Sequence, residues 1–76
     1  MQAFLEYVVK GLVSHPDAVT VTPVVKDALT IYELRMHPDD VGKIIGRQGR
    51  NVRALRTLLS AAGVRARKRY TLEVID

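Results

Sequence analysis

Apolar residues recur at two spacings along this chain, and where the spacing changes the local structure must change with it. Leu5, Val8, Val9, Leu12 and Val13 fall on one face of a helix, with Glu6, Lys10 and Ser14 off it. Ser14-His15-Pro16-Asp17 ends that helix, because the residue before a proline avoids helical geometry and Asp suits a turn. His15 is expected to be part of this break. Val19 to Val25 and Leu29 to Met36 are β-branched and apolar, joined by Lys26-Asp27-Ala28, and predict a hairpin. In its second strand Tyr32, Leu34 and Met36 alternate with Ile31, Glu33 and Arg35, setting an apolar face against a more polar one. Pro23 has no N–H to give a ladder and predicts an edge, a bulge or a short, broken first strand.

From His37 the period returns to the helical one. Pro38 suits a first helical position, Asp39 and Asp40 suit the positive end of a helix dipole, and Val41, Ile44 and Ile45 form a short buried stripe. A metal or acid–base role for the two aspartates is not expected, for want of a third ligand beside them. Past the two glycines, Val52, Leu55, Leu59 and Ala62 trace the stripe of a third helix, with Gly63 read as the residue that closes it. Val64 to Arg69 is expected to be a basic loop, and Tyr70, Leu72 and Val74 alternate through a last strand. The order helix, strand, strand, helix, loop, helix, strand predicts an α+β fold with helices on one face of a three-stranded sheet.

Seventy-six residues set the scale at one domain, 1–76, burying only about 60% of its unfolded surface. With no cysteine, disulfides and thiolate metal sites are excluded and a reducing, cytoplasmic setting is expected. No signal-peptide pattern or membrane-length apolar run is present.

Charge separates the two halves. Met1 to Asp40 holds three basic and six acidic residues, whereas Val41 to Leu72 holds nine basic residues and no acid. Such asymmetry points to an anionic partner, nucleic acid before an acidic membrane surface, with a merely solvated basic face as the plain alternative. Within the basic half, Gly46-Arg47-Gln48-Gly49 lies between two predicted helices. Two glycines permit positive φ and close approach of backbone to a ligand, and the following helix start offers free N–H groups to a phosphate. Lys43, Arg47, Arg50 and Arg53 add charge nearby. For Arg56 spacing favours a solvated role, and Ile45 and Val52 suit either a ligand-facing edge or the core. No aromatic residue is interleaved with these cations, so base stacking is poorly supported. A helix-turn-helix reading of residues 39–62 conflicts with the flanking strands, and enzymatic readings lack a cysteine, a histidine beside a plausible nucleophile and a GKS or GKT phosphate loop, Gly42-Lys43 being followed by Ile44.

Ile44-Ile45-Gly46-Arg47-Gln48-Gly49-Arg50-Asn51-Val52 resembles the core pattern of KH domains. Its setting in an αββααβ order resembles the type II, prokaryotic form with a mixed sheet. Residues 4–10, 32–43 and 72–76 extend the likeness to small single-KH bacterial RNA-binding proteins of the KhpA type. The resemblance implies a non-catalytic groove for about four single-stranded nucleotides, without cofactor or metal. It assigns Gly46, Arg47, Gln48 and Gly49, flanked by Lys43, Ile45, Arg50 and Val52, to one wall, and Arg67 and Lys68, with Arg65 and Arg69, to a variable loop on the other; Arg53 joins the first wall by its nearness to the turn. It further implies a homodimer, or a heterodimer with a larger Jag-type KH protein, acting as an RNA chaperone in control of cell shape and cell-wall biogenesis. An interaction module whose partner supplies most of the RNA binding is the alternative.

Overall fold

The computed structural model describes residues 1–75. Helix α1 (Gln2–Leu12) leads through a 3₁₀ turn at Pro16–Ala18 into strands β1 (Thr20–Lys26) and β2 (Leu29–Arg35). A second 3₁₀ turn, Pro38–Asp40, opens the short helix α2 (Val41–Ile45); a third, Arg47–Gly49, joins it to α3 (Arg50–Ala66), and β3 (Arg69–Ile75) closes the order.

β2 is the centre of the sheet, antiparallel to β1 and parallel to β3. A parallel partner cannot be reached by a tight turn, so the chain must cross over between β2 and β3. That crossover consists of α2, the glycine turn and α3. The turn is thereby held between two helices whose ends are fixed by the sheet. Leu5 and Val9 of α1, Val21, Tyr32, Leu34 and Leu72 of the strands, and Ile44, Val52, Leu55 and Leu59 of the later helices form one buried cluster. The helical and alternating spacings in the sequence thus converge on a single core.

Three local expectations are corrected. β1 is not shortened or broken by Pro23, which keeps register opposite Tyr32 in an unbroken seven-residue strand. As an outer strand it carries a row of N–H groups that no neighbour needs, where proline is tolerated. Helix α3 does not stop at Gly63 but runs on to Ala66. Val64 to Arg69 is therefore no loop: Val64–Ala66 complete α3, Arg67 and Lys68 make the turn, and Arg69 opens β3. Finally, Ile45 is not part of the buried stripe of α2, since it is 38% exposed while Ile44 is fully buried.

Asp40 stands at the start of α2, as the dipole reading expects, and is in addition fully enclosed. Its carboxylate accepts the backbone N–H groups of Ser14 and His15 at 3.0 Å each and meets the His15 ring at 3.1 Å. Lys43 Nζ approaches its other oxygen at 3.4 Å and also bonds Ser14 Oγ. Burial alone pushes a carboxyl up, but these donors outweigh it and hold Asp40 at about 2. One buried carboxylate thus fastens the end of α1 to the start of α2.

Candidate nucleic-acid interface

The turn after α2 is built on backbone that only glycine adopts with ease. Gly46 donates its N–H to Gly42 at 2.9 Å and then takes φ 76, ψ 174, a region essentially closed to other residues. A Cβ there would also lie 2.7 Å from Asn51 Cγ. Gln48 and Gly49 follow in left-handed geometry, with φ 57 and 74. Gly49 caps α3 with no side-chain hydrogen bond, so no side chain fills the first-turn N–H positions that suit an anion.

Two side chains from α3 hold the turn in this shape. Asn51 Nδ2 donates to the Lys43 carbonyl at 2.8 Å. Arg53 reaches back to the carbonyls of Gln48 and Gly49 through Nη2 and Nε. With two of its carbonyls tied to α3, the turn presents the exposed side chains of Arg47 and Gln48. Arg53, expected to face phosphate, braces the turn with Nε and Nη2 while remaining exposed beside it. Lys43 leans away, toward Ser14 and Asp40. Arg50 is exposed beside the turn, and the pair left open by the sequence divides: Ile45 is exposed and Val52 is core at 8%. Lys43, Ile45, Gly46, Arg47, Gln48, Gly49, Arg50 and Arg53 are thus brought to one end of the molecule.

Arg67 and Lys68 are not. Seventeen residues of α3 separate them from Gly49, about 25 Å of helix. They stand at the far end of a continuous flank, however, because Arg53, Arg56, Ser60 and Val64 recur every three or four residues along one side of α3. Arg56 Nε donates to the Leu72 carbonyl at 3.2 Å, bridging α3 to the outer strand β3. Arg56 is exposed, in keeping with the solvated role expected for it, and the bond to Leu72 is an addition that sequence spacing could not signal. Near Lys68 the flank opens into a hollow of about 310 Å³ whose lining includes Ser60, Val64, Lys68 and Tyr70. Tyr70 packs edge-on to Tyr32, whose hydroxyl is pushed up by burial and by Tyr70.

The turn at the far end carries a strain of its own. Arg67 sits at φ 56, ψ 39, donating its N–H to Val64 at 3.2 Å, while Lys68 donates to Gly63 at 2.8 Å. This is the Schellman arrangement, with arginine where glycine is usual. Arg67→Gly is expected to stabilise the fold by about 0.5–1 kcal/mol and to raise Tm by about 2–8 °C in thermal denaturation. An unchanged or lower Tm contradicts the strain.

A helix–glycine turn–helix unit inserted between two parallel strands, with an antiparallel outer strand and a leading helix, defines a KH domain of the type II form. The chain belongs to the KhpA/KhpB KH-domain family, whose profile matches residues 2–74. It is 47% identical over 75 residues to the RNA-binding protein KhpA of Treponema pallidum, covering 99% of this chain and 94% of that one. The KhpA proteins of Clostridium acetobutylicum, at 44% over 99% of this chain and 100% of theirs, and of Halalkalibacterium halodurans, at 41% over the whole of both, are similarly related. Among solved structures, Era of Aquifex aeolicus bound to GDP and aluminium fluoride superposes with a TM-score of 0.66 at 14% identity. That match covers 96% of this chain and 28% of Era, and it speaks to fold alone.

Proposed function

We propose that this chain binds single-stranded RNA without catalysis, gripping backbone at the glycine turn and passing the strand along the flank of α3 and β3. The observation that carries the proposal is the braced turn: Arg53 ties back the Gln48 and Gly49 carbonyls at a helix start without a side-chain cap, in a stretch, Val41 to Leu72, rich in cations and free of acid. The naming of the related KhpA proteins as RNA-binding supports it. Backbone contacts position a strand and carry no sequence information, so preference among RNA sequences is expected to be shallow.

If four phosphates are neutralised, log K falls against log salt with a slope of about −2.8, close to 50-fold between 50 and 200 mM. Fluorescence anisotropy with a short unstructured RNA measures this. A salt-independent affinity, or preference for duplex DNA in competition, overturns the assignment.

We further propose that residues 1–76 act as one KH domain in the cytoplasm, as an RNA chaperone subunit that forms a homodimer or pairs with a larger Jag-type KH protein, in cell-shape and cell-wall control. That the family's description names KhpA and KhpB together is in keeping with such a partnership. No helix among the described residues is long and apolar enough to cross a membrane. An interaction module is the second reading, favoured by Phe4, Tyr7 and Leu12 standing exposed on α1, Tyr7 at 82%. Light scattering distinguishes the two, because a dimer that resists salt and ignores RNA favours the module.

A further inference from the structure

The break after α1 and the junction before α2 bring together side chains that the RNA-binding proposal does not use. His15 and His37 are 22 positions apart in the sequence, yet their rings stack with centroids 3.9 Å apart and planes within 14°. Asp39 lies beside them, its Oδ2 3.6 Å from His37 Nδ1. One ligand atom from each of His15, His37 and Asp39 falls within 4.8 Å of the others. The reason for expecting no metal here, the want of a third ligand, is therefore corrected: His37 is two residues from Asp39, and the fold adds His15.

We propose that His15, His37 and Asp39 form a binding site for a divalent first-row transition-metal ion such as Zn²⁺, with Asp40 positioning His15 from behind. Two imidazoles and a carboxylate are a donor set such ions accept. Mg²⁺ and Ca²⁺ call instead for a shell of oxygens that the cluster lacks. Asp40 supplies the second observation. A metal-bound histidine usually presents its other ring nitrogen to a carboxylate, which fixes the ring. His15 Nδ1 meets Asp40 Oδ2 at 3.1 Å, and that carboxylate is itself immobilised by the N–H groups of Ser14 and His15. Nε2 of His15 is thus the nitrogen left for an ion.

Each nitrogen lone pair lies in its own ring plane, so one ion cannot be shared by rings that stay parallel. The stack must open on binding. Both side chains have room for this, being 46% and 39% exposed. His37 gives up its acceptance of the Asp39 N–H, an exchange of one exposed hydrogen bond for a metal bond. The charges facing the cluster suit a cation: Asp39 and Asp40 are adjacent in sequence, and Lys43 is held to Ser14 and the far oxygen of Asp40. With three protein ligands, the remaining coordination positions go to water.

Such an ion joins the Ser14–His15 break to the start of α2, and so binds the folded state alone. Untagged protein titrated with Zn²⁺ by calorimetry is expected to show one saturable site per chain. A hundredfold excess over Kd should raise Tm by on the order of 10 °C, whereas Mg²⁺ at the same concentration should not. His37→Gln and Asp39→Asn alter exposed side chains outside the core, and each should weaken Zn²⁺ binding at least tenfold while leaving the affinity for RNA within error; the metal-free Tm should hold for Asp39→Asn and fall by no more than about 8 °C for His37→Gln, which loses a cap. Absence of a saturable site, or unweakened binding in both variants, overturns the proposal. Long-range ¹H–¹⁵N spectra give an independent readout: Zn²⁺ should shift Nε2 of His15, and a shift confined to other residues also rejects the site.

Discussion

Replacing Arg47 and Gln48 together by aspartate is expected to lower affinity for single-stranded RNA by on the order of 100-fold while leaving the fold intact. Both side chains are exposed at the tip of the turn. The exchange removes one cation and adds two anions where phosphate is proposed to dock. Each unit charge at about 4 Å in water is worth about 1 kcal/mol, so three such changes amount to about 3 kcal/mol, or roughly two decades in Kd. The fold should not resist the exchange. Gln48 has φ 57, and aspartate is among the residues that visit left-handed backbone most readily. Negative charge before the first turn of α3 is also favourable to the helix dipole. Binding and stability should therefore move apart, binding falling steeply while Tm holds or rises slightly. Anisotropy and thermal denaturation on the same preparation measure both. Unchanged affinity would move the RNA site away from the turn, and a collapsed Tm would show that the tip has a structural role the braces do not account for.

The parts of this interface legible in the sequence are those set by local geometry. Helical and alternating spacings of apolar residues locate the core faces because burial acts on every turn and every second residue. Two glycines between helices announce a turn because few other residues reach its backbone angles. Contacts between distant residues left no such local mark. Asp40 read as a dipole partner because acids before a helix usually are, and its burial depends on Ser14 and His15 returning from 26 and 25 positions away. Arg53 and Arg56 carry the same charge and sit on the same flank, yet one braces the turn and the other bridges to Leu72. Charge predicted that the flank is basic. Which arginine faces solvent, carbonyl or phosphate is decided by where the turn and β3 lie, which helical periodicity does not contain.

Gly63 gives the sharpest contrast between local signal and packing, and its substitution tests the fold most severely. As a residue closing a helix, glycine would serve its backbone angles. As an unencumbered interior residue it would be a weakness, and alanine would stabilise the helix by about 1 kcal/mol. Neither holds here. Gly63 lies buried within α3, three residues before its end, and a Cβ built on it would fall 2.6 Å from the Lys68 carbonyl oxygen and 3.2 Å from the Tyr70 nitrogen. Both atoms are backbone, and both belong to the segment where the chain turns from α3 into β3. The Lys68 N–H is already bonded to the Gly63 carbonyl at 2.8 Å, so the turn cannot back away without breaking the cap. Gly63→Val is expected to destabilise by about 3 kcal/mol, the upper part of the usual range for overpacking, with Tm lowered by about 12–24 °C. Gly63→Ala should follow in the same direction by a smaller step, against its helix propensity. A rise in Tm for the alanine variant would mean that α3 and the start of β3 do not approach so closely, and with that the geometry of the flank leading to Arg67 and Lys68 would have to be redrawn.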